Sequence, residues 1–339
     1  MKKAFLGVLS VSILFMCVAT VVFSSGTEES EGWNPKRTIN LIVPWGAGGA
    51  TDQTARVLAS EMEPVLGTKI AVVNQPGASG SIGTKTAFEA EHDGYTWTAN
   101  GHSSVATFQV RGLTPNISYK DWQGYFAISS PCVICVNPDS PIKDWDSLVE
   151  AFNTREVLVA TAGIGAGGHT AIEIFCREMG VKYKHAPYKG GNPAIVSTVA
   201  GETEVVMQLS MEVADMLRAK KLRSIAVLSD QPLTISGAGE IPPVTDFVKD
   251  FPPVAFYFGL YVAKDIPEDA RKAIAKAFDV ASKSEAIEKL AQEKGSMAVS
   301  IQGEAADQLL AKSASQFGWL FYDLGIVDTS PEKFGIPRL

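Results

Sequence analysis

The chain has 339 residues, 46% apolar and 20% charged, a composition typical of a globular protein of about two domains of ~150 residues each. This excludes fibrous, collagen-like and disordered proteins. The formal charge is −7 and no run of Lys and Arg exceeds two residues, which argues against binding to nucleic acid or to an anionic membrane. Any anionic ligand must therefore be bound by local geometry.

The N-terminus has the layout of a secretory signal, since Lys2 and Lys3 precede an uncharged run over 4–23 that small residues follow. Residues 1–26 are expected to form a cleaved signal peptide. An uncleaved membrane anchor is the alternative, because the run of 20 residues is long enough to cross a bilayer. Either way the protein is expected to be periplasmic or extracytoplasmic. Removal of the two lysines changes the formal charge from −7 to −9.

Short runs rich in β-forming residues alternate with helical periodicity from residue 33 onward. The runs are INLIV (39–43), IAVVN (70–74), YTWTAN (95–100), CVICV (132–136), EVLVAT (156–161), VKYKHA (181–186), VVMQL (205–209), RSIAVL (223–228) and FYFGLYVA (256–263). This alternation predicts an α/β fold built of βαβ units, with mostly parallel sheets and flanking helices. Apolar residues at helical spacing also predict a long closing helix over 304–324.

Three cysteines follow the leader, and they have three interpretations. Cys132 and Cys135 form a CxxC, but the surrounding SPCVICVNP predicts a strand, whereas redox chemistry places the first cysteine at a helix N-terminus. Buried structural thiols are the first interpretation, and a disulfide to Cys176 is the second. Metal or redox chemistry is the third, because no second CxxC or His pair completes a ligand set. We therefore expect no metal and no cofactor.

The tetrad GAGG occurs twice, at 46–49 and at 165–168, about 119 residues apart. Each copy stands between a predicted strand and a predicted helix. This spacing is too long for a solenoid but suits two similar α/β lobes with a ligand cleft between them.

The lobe boundaries follow from the extended runs at 127–137 and 254–263, which are the candidates for the chain crossing between lobes. The first lobe is then discontinuous. It is expected to combine residues 33–132 with 258–339, and the second lobe to cover 133–257. The closing helix is free to pack across both lobes.

A glycine-rich turn before a helix brings backbone N–H groups and the positive end of the helix dipole close to a ligand, and so favours anions. One such loop is weak evidence, because glycine in these turns is often steric only. Here GASGSIG (77–83) and TANGHSS (98–104) add further small polar turns at strand ends, where ligands of α/β sheets bind.

The segment GIGAGG (163–168) also matches the GxGxxG pattern of dinucleotide-binding proteins. That pattern requires an acidic residue about 20 positions further on, and VKYKHAPYKGG contains none. The usual enzyme signatures GxxxxGK[ST], GxSxG and HExxH are also missing from the sequence. No catalytic residues are expected, and a nucleotide-dependent exported enzyme remains an alternative.

Six segments in order carry a resemblance to a known family. They are PWGAGGATD (44–52), NQPGASGSIG (74–83), DGYTWTANG (93–101), GIGAGGH (163–169), HAPYKGGNPAI (185–195) and KKLRSIAV (220–227). Over about residues 36–330 the chain resembles the solute-binding proteins of tripartite tricarboxylate transporters, the Bug family of extracytoplasmic receptors. Glu204 stands where that family usually has Asp, and TISGAGEIPPVTDF replaces the family's Pro-Thr segment before the second crossing.

The resemblance implies a two-lobed, periplasmic-binding-protein-like (type II) fold that closes on a small organic carboxylate. It implies a monomer that delivers the ligand to membrane permease subunits, without nucleic acid as a partner. A receptor for a signalling system is an alternative that the sequence does not separate from transport. It also implies that backbone N–H groups over 47–51 hold a carboxylate, directly or through water.

The site residues that the resemblance implies fall into three groups. The first-lobe loop supplies Trp45, Ala47, Gly48, Gly49, Thr51 and Asp52. The second-lobe loop supplies Gly163, Gly165, Ala166 and His169, and the walls supply Ser79, Ser103, Tyr188 and Lys189. For Tyr188 and Lys189 a fold-specific turn with a solvated lysine is an equal alternative.

Overall fold

A computed structural model describes residues 33–339. Its strands are β1 (Ile39–Val43), β2 (Ile70–Asn74), β3 (Thr96–Gly101), β4 (Trp122–Val136), β5 (Val157–Thr161), β6 (Tyr183–Pro187), β7 (Val205–Leu209), β8 (Arg223–Val227), β9 (Leu233–Ile235), β10 (Gly239–Ile241), β11 (Ala255–Ala263) and β12 (Met297–Ile301). Its helices are α1 (Ala50–Leu66), α2 (Ser81–Phe88), α3 (His102–Thr107), α4 (Trp145–Thr154), α5 (Gly167–Met179), α6 (Gly191–Val199), α7 (Ser210–Arg218), α8 (Glu268–Ala281), α9 (Glu285–Glu293) and α10 (Glu304–Asp323).

The first half of the sheet has the order β2-β1-β3-β11-β4. Strand β1 runs parallel to β2 and β3, whereas β11 runs antiparallel to both β3 and β4. Strand β12 joins the other edge of β4. The parallel pairs put the carboxyl ends of β1 and β3 at one edge, which is where a ligand site is expected.

The second half has the order β4-β7-β5-β6, with β8 also paired to β4. Strands β5, β6 and β7 are parallel to one another, and β7 and β8 are antiparallel to β4. The 15-residue strand β4 therefore belongs to both halves. Its residues 122–131 pair with β11, and its residues 132–136 pair with β7 and β8.

The helices pack an apolar face on this sheet. On α1 the residues Leu58, Ala59, Met62 and Leu66 recur at helical spacing and are buried in the main core. The long helix α10 buries Leu310, Phe317 and Phe321 in the same way. Phe321 lies 5.6 Å from the ring of His169, between ring centroids, so α10 contacts a side chain of the second half as well.

The predicted strand bounds agree with the structure to within two residues, except at β4. That strand begins ten residues before CVICV, because its first part pairs with β11 and β12. The sheet is mixed, with parallel pairs in its outer parts as expected and antiparallel pairs at its centre. The hairpin β9–β10 and the edge strand β12 were not predicted. The two predicted lobe boundaries stay predictions.

The predicted signal peptide at 1–26 lies outside the described residues. Over the range 33–339 no helix combines the length and the apolar character that crossing a bilayer requires.

Cys132, Cys135 and Cys176 are buried free thiols, in agreement with the first interpretation of the cysteines. Burial raises the pKa of all three thiols.

Candidate functional site

A cavity of about 290 Å³ lies where the carboxyl ends of β1, β3, β5 and β7 meet. Both halves of the sheet contribute to its walls. The lining residues are Trp45, Gly46, Ala47, Gly49, Ala50, Thr51, Asn100, Gly101, Ser103, Ser104, Ala162, Ala166, Gly167, Lys189, Gly190, Gly191, Asn192, Pro193, Gln208, Leu209, Glu212 and Phe258. Its position at the strand ends and its size fit a small-molecule site.

The N-terminus of α1 opens on this cavity. Gly49 is the N-cap residue in extended conformation, and as a glycine it has no side chain to accept the N–H groups of the first turn. Glu212 accepts from the Ala50 N–H, and the N–H groups of Thr51 and Asp52 have no intrahelical partner. Gly49, Ala50 and Thr51 all line the cavity. The donors and the positive dipole end therefore face the space that a ligand would occupy.

The loop before α1 is held by a buried carboxylate. Asp52 is 3% exposed and accepts hydrogen bonds from the Gly48 N–H at 2.8 Å and from Asn74 Nδ2 at 2.8 Å. Arg56, one turn further along α1, donates to the same carboxylate. Burial alone would raise the pKa of Asp52, but Arg56 and the other donors outweigh burial and hold it below its usual value. Asp52 shapes the loop and does not line the cavity.

The second loop is anchored by an imidazole. The Gly165 N–H donates to His169 Nδ1 at 3.1 Å, and His169 Nε2 lies 3.2 Å from Glu173 Oε1. The ring stacks on His185 at 4.4 Å between centroids. With Nδ1 as an acceptor, Nε2 carries the proton and donates to Glu173. His169 is thus enclosed behind the loop, whereas the cavity meets this segment only at Ala166 and Gly167.

One wall of the cavity combines an aromatic ring with small hydroxyl residues. The indole Nε1 of Trp45 donates to Asn100 Oδ1 at 2.9 Å, and Asn100 in turn donates to Thr84 at 3.0 Å. These bonds fix the orientation of the Trp45 ring. Ser103 and Phe258 complete this wall, which offers apolar surface and one hydroxyl to a ligand.

The rim carries a hydrogen bond between the halves and an exposed cation. Asn192 Nδ2 donates to the Ala47 carbonyl oxygen at 3.2 Å. Lys189 lines the cavity and is exposed to solvent. Lys189 is therefore the cation that an anionic ligand would meet at the entrance.

The structure brings only some of the predicted residues together. Those that line the cavity are Trp45, Ala47, Gly49, Thr51, Ser103, Ala166 and Lys189. Those that lie outside its lining are Gly48, Asp52, Ser79, Gly163, Gly165, His169 and Tyr188. The Ser79 hydroxyl lies 3.4 Å from the position of a Cβ on residue 163, so the two outer loops meet beside the cavity.

Sequence reasoning missed five polar residues of the cavity, namely Asn100, Ser104, Asn192, Gln208 and Glu212. Gln208 is fully buried near the end of β7, and Glu212 lies in the first turn of α7. Glu212 Oε1 accepts a hydrogen bond from the Ala50 N–H at 2.9 Å, which joins the second half to the first. Burial raises the pKa of Glu212 to about 7, although the Ala50 N–H acts in the opposite direction. The signal for this pair is a glutamine inside the apolar run VVMQL, followed by an acid in the next turn.

Three comparisons place the chain among known proteins. A model of the family described as tripartite tricarboxylate transporter family receptor (TctC) matches residues 54–326. Protein BugT of Bordetella pertussis is 32% identical over 206 residues, which are 59% of this chain and 63% of that protein. The matched region thus covers less than two thirds of the length of that relative.

Solved structures show the same architecture. The structure of a periplasmic transporter is 28% identical, with a TM-score of 0.73 and coverage of 86% of this chain and 97% of that one. MatC from Rhodopseudomonas palustris with bound malate is 19% identical, with a TM-score of 0.76 and coverage of 84% and 99%. The fold is that of the two-lobed periplasmic binding proteins of type II.

Proposed function

Because this chain belongs to the tripartite tricarboxylate transporter receptor family, we propose that it captures a small organic carboxylate in the cavity at the strand ends. It delivers this ligand to the membrane permease subunits of a tripartite tricarboxylate-type transporter. Binding takes place outside the cytoplasmic membrane, and the lobes close on the ligand by bending of β4 and of the segment that leads into β11.

The observation that carries the proposal is the N-terminus of α1 at the cavity. Gly49 supplies no side-chain cap and Glu212 accepts only the Ala50 N–H, so the N–H of Thr51, which lines the cavity, remains for a ligand. A charge-assisted hydrogen bond to a carboxylate contributes ~1.5–3 kcal/mol, and the helix dipole adds ~0.3–1 kcal/mol. A few such bonds reach micromolar affinity once the closed lobes exclude water.

The residues proposed to contact the ligand are those of the predicted set that line the cavity. Gly48, Asp52, Gly163, Gly165 and His169 are proposed to act indirectly, by holding the two loops in shape. The malate bound to MatC supports a carboxylate as the ligand class. The cavity volume of about 290 Å³ suits an acid of a few carbon atoms.

A proline at the second position of α1 tests this directly. Thr51→Pro removes an N–H donor that has no intrahelical partner, and the first turn of a helix tolerates proline for that reason. The matched control is Ala286→Pro, which places proline at the second position of α9.

The measurement is a thermal-shift screen of refolded protein against carboxylates, followed by calorimetry. We expect a carboxylate to raise Tm, and Thr51→Pro to weaken its binding by roughly tenfold or more while Ala286→Pro leaves binding unchanged. Equal affinity in both variants would remove the helix N-terminus from the site. Stabilisation by NAD-type nucleotides and by no carboxylate would instead favour the nucleotide-dependent enzyme.

A further inference from the structure

Two buried polar atoms that face the cavity have no hydrogen-bond partner within residues 33–339. They are Gln208 Nε2, a donor, and Glu212 Oε2, an acceptor. Gln208 is 0% exposed, so its amide cannot turn to bulk solvent. Both side chains line the cavity and come from the second half, Gln208 from β7 and Glu212 from α7.

The two atoms are close neighbours. Both lie within 2.7 Å of a single point, the position that a Cβ on residue 191 would occupy. Glycine at 191 therefore leaves room for the side chains of Gln208 and Glu212 to approach each other. An unpaired buried donor and an unpaired buried acceptor each cost free energy, and native proteins retain few of them. Their pairing by one bound molecule would remove both costs together.

The charges around Glu212 set the polarity of this space. Glu212 Oε1 is already bonded to the Ala50 N–H, which leaves Oε2 to the ligand. Among the described residues no Lys or Arg forms an ion pair with Glu212. Lys189 stands at the exposed rim, and burial keeps the nearby Cys132 thiol neutral by raising its pKa. A second carboxylate of a ligand would be repelled from Oε2, whereas a hydrogen-bond donor would be attracted.

We propose that Gln208 and Glu212 form a specificity subsite for an acid that carries a hydrogen-bond donor on the carbon next to its carboxylate. Gln208 Nε2 donates to a carboxylate oxygen, and Glu212 Oε2 accepts from the neighbouring ammonium or hydroxyl group. The adjacency of the two orphan atoms matches the adjacency of these two groups in an α-amino or α-hydroxy acid. The inference rests on the proposed function, since it names the class of carboxylate bound at the same site.

The test compares acids that share a carbon skeleton. One set is aspartate, malate and succinate, and a second set is glutamate, 2-hydroxyglutarate and glutarate. Within each set only the substituent next to the carboxylate changes. Calorimetry on the refolded protein (residues 33–339) is expected to give at least about tenfold tighter binding for a substituted acid than for the unsubstituted one. Tighter binding of the amino acid assigns an ammonium, and tighter binding of the hydroxy acid assigns a hydroxyl.

Two variants locate the effect. Glu212→Gln keeps an oxygen for the Ala50 N–H but replaces the second oxygen by an NH₂ group, so the preference for the substituted acid is expected to disappear. Glu202→Gln is the matched control, because Glu202 is exposed on the same half of the molecule and should retain the full preference.

Each outcome bears on a different statement. If the unsubstituted acids bind as tightly as the substituted ones, the subsite is wrong and the carboxylate receptor stands. If Glu212→Gln keeps the preference, the donor is recognised elsewhere and the subsite is again wrong. If none of the acids binds, the proposed function fails together with the subsite. Should Glu212→Gln not fold, the comparison of acids on the unaltered protein still decides.

Discussion

The two glycine-rich loops adopt the same backbone conformation with different anchors. Gly48 has φ +78° and Gly165 has φ +73°. In each loop the N–H of this glycine donates to a side chain four residues further on, Asp52 in the first loop and His169 in the second. The anchor then contacts the side chain of a residue one turn later. The first pair is Asp52 with Arg56, and the second is His169 with Glu173.

This equivalence corrects the alignment that the repeated GAGG tetrads suggest. The tetrads are about 119 residues apart, but α1 begins at Ala50 and α5 at Gly167, an offset of 167 − 50 = 117. The structural counterpart of Gly46–Gly49 is therefore 163–166. The repeated letters are shifted by two positions from the repeated backbone, and helix starts identify the repeat better than the identity of the glycines.

The loops differ in what covers them. The first loop and the start of α1 line the cavity over most of their length, whereas the second contributes only Ala166 and Gly167. The guanidinium of Arg111, a residue of the first half, packs against Gly165 of the second loop. The two loops therefore share a conformation but only the first is proposed to form most of the ligand contacts.

The largest expected effect comes from position 168. A Cβ there would overlap the main-chain carbonyl oxygen of Met207, which cannot move away without breaking β7. The equivalent position in the first loop is 51, which already carries the side chain of Thr51. We expect Gly168→Ala to lower the free energy of unfolding by roughly 3–5 kcal/mol in urea titrations.

Gly46→Ala is the control, because a Cβ on residue 46 would meet only the Lys189 carbonyl oxygen at 4.0 Å. Its unfolding free energy should change by less than about 1 kcal/mol. A Gly168→Ala protein as stable as this control would contradict the close packing of the second loop on β7.

A smaller effect is expected at Glu212, which caps α1 but has no counterpart at α5. Burial raises its pKa to about 7 from the ordinary value of 4.5, so the folded protein binds more protons than the unfolded chain between these values. The contribution to stability is then fully present below pH ~4.5 and is lost as the pH rises through ~7. Glu212→Gln lacks this loss and should be more stable than the unaltered protein at pH 8, by roughly 1–2 kcal/mol.

The measurement is urea unfolding of both proteins without ligand at pH 5 and at pH 8. The difference between them should be small at pH 5 and should favour Glu212→Gln at pH 8. A difference that does not change with pH would mean that the carboxyl group of Glu212 titrates as it does in water.

Local sequence patterns predicted most of the fold but only part of the site. The strand runs INLIV, IAVVN and VVMQL have the bounds that the structure gives them, because each is a short run rich in β-branched residues. The first part of β4 was missed, since it includes Gly124, Ser129, Ser130 and Pro131. The loops were visible as glycine-rich turns. The contact of Glu212 with Ala50 was not, because it joins residues 162 positions apart.

The smallest effect is expected at the anchor of the first loop. In Asp52→Asn one oxygen still accepts from the Gly48 N–H, but an NH₂ group then faces the donors of Asn74 and Arg56. We expect a loss of about 1 kcal/mol of unfolding free energy at pH 7. Because the donors lower the pKa of Asp52 in the folded protein, its stabilisation is present above the unfolded value of 3.8 and disappears as the pH falls through the lower folded value.

Asp230→Asn is the matched control, since Asp230 is an exposed aspartate whose replacement should change stability by less than about 0.5 kcal/mol at any pH. Urea unfolding at pH 7 and at pH 3 separates the two substitutions. The deficit of Asp52→Asn should be clear at pH 7 and smaller at pH 3, because pH 3 lies below the unfolded pKa of 3.8 and the stabilisation from the lowered pKa of Asp52 is lost there progressively. An equal deficit at both values would mean that Asp52 acts through its shape alone, and the ionic anchor of the first loop would then differ less from the neutral imidazole of the second.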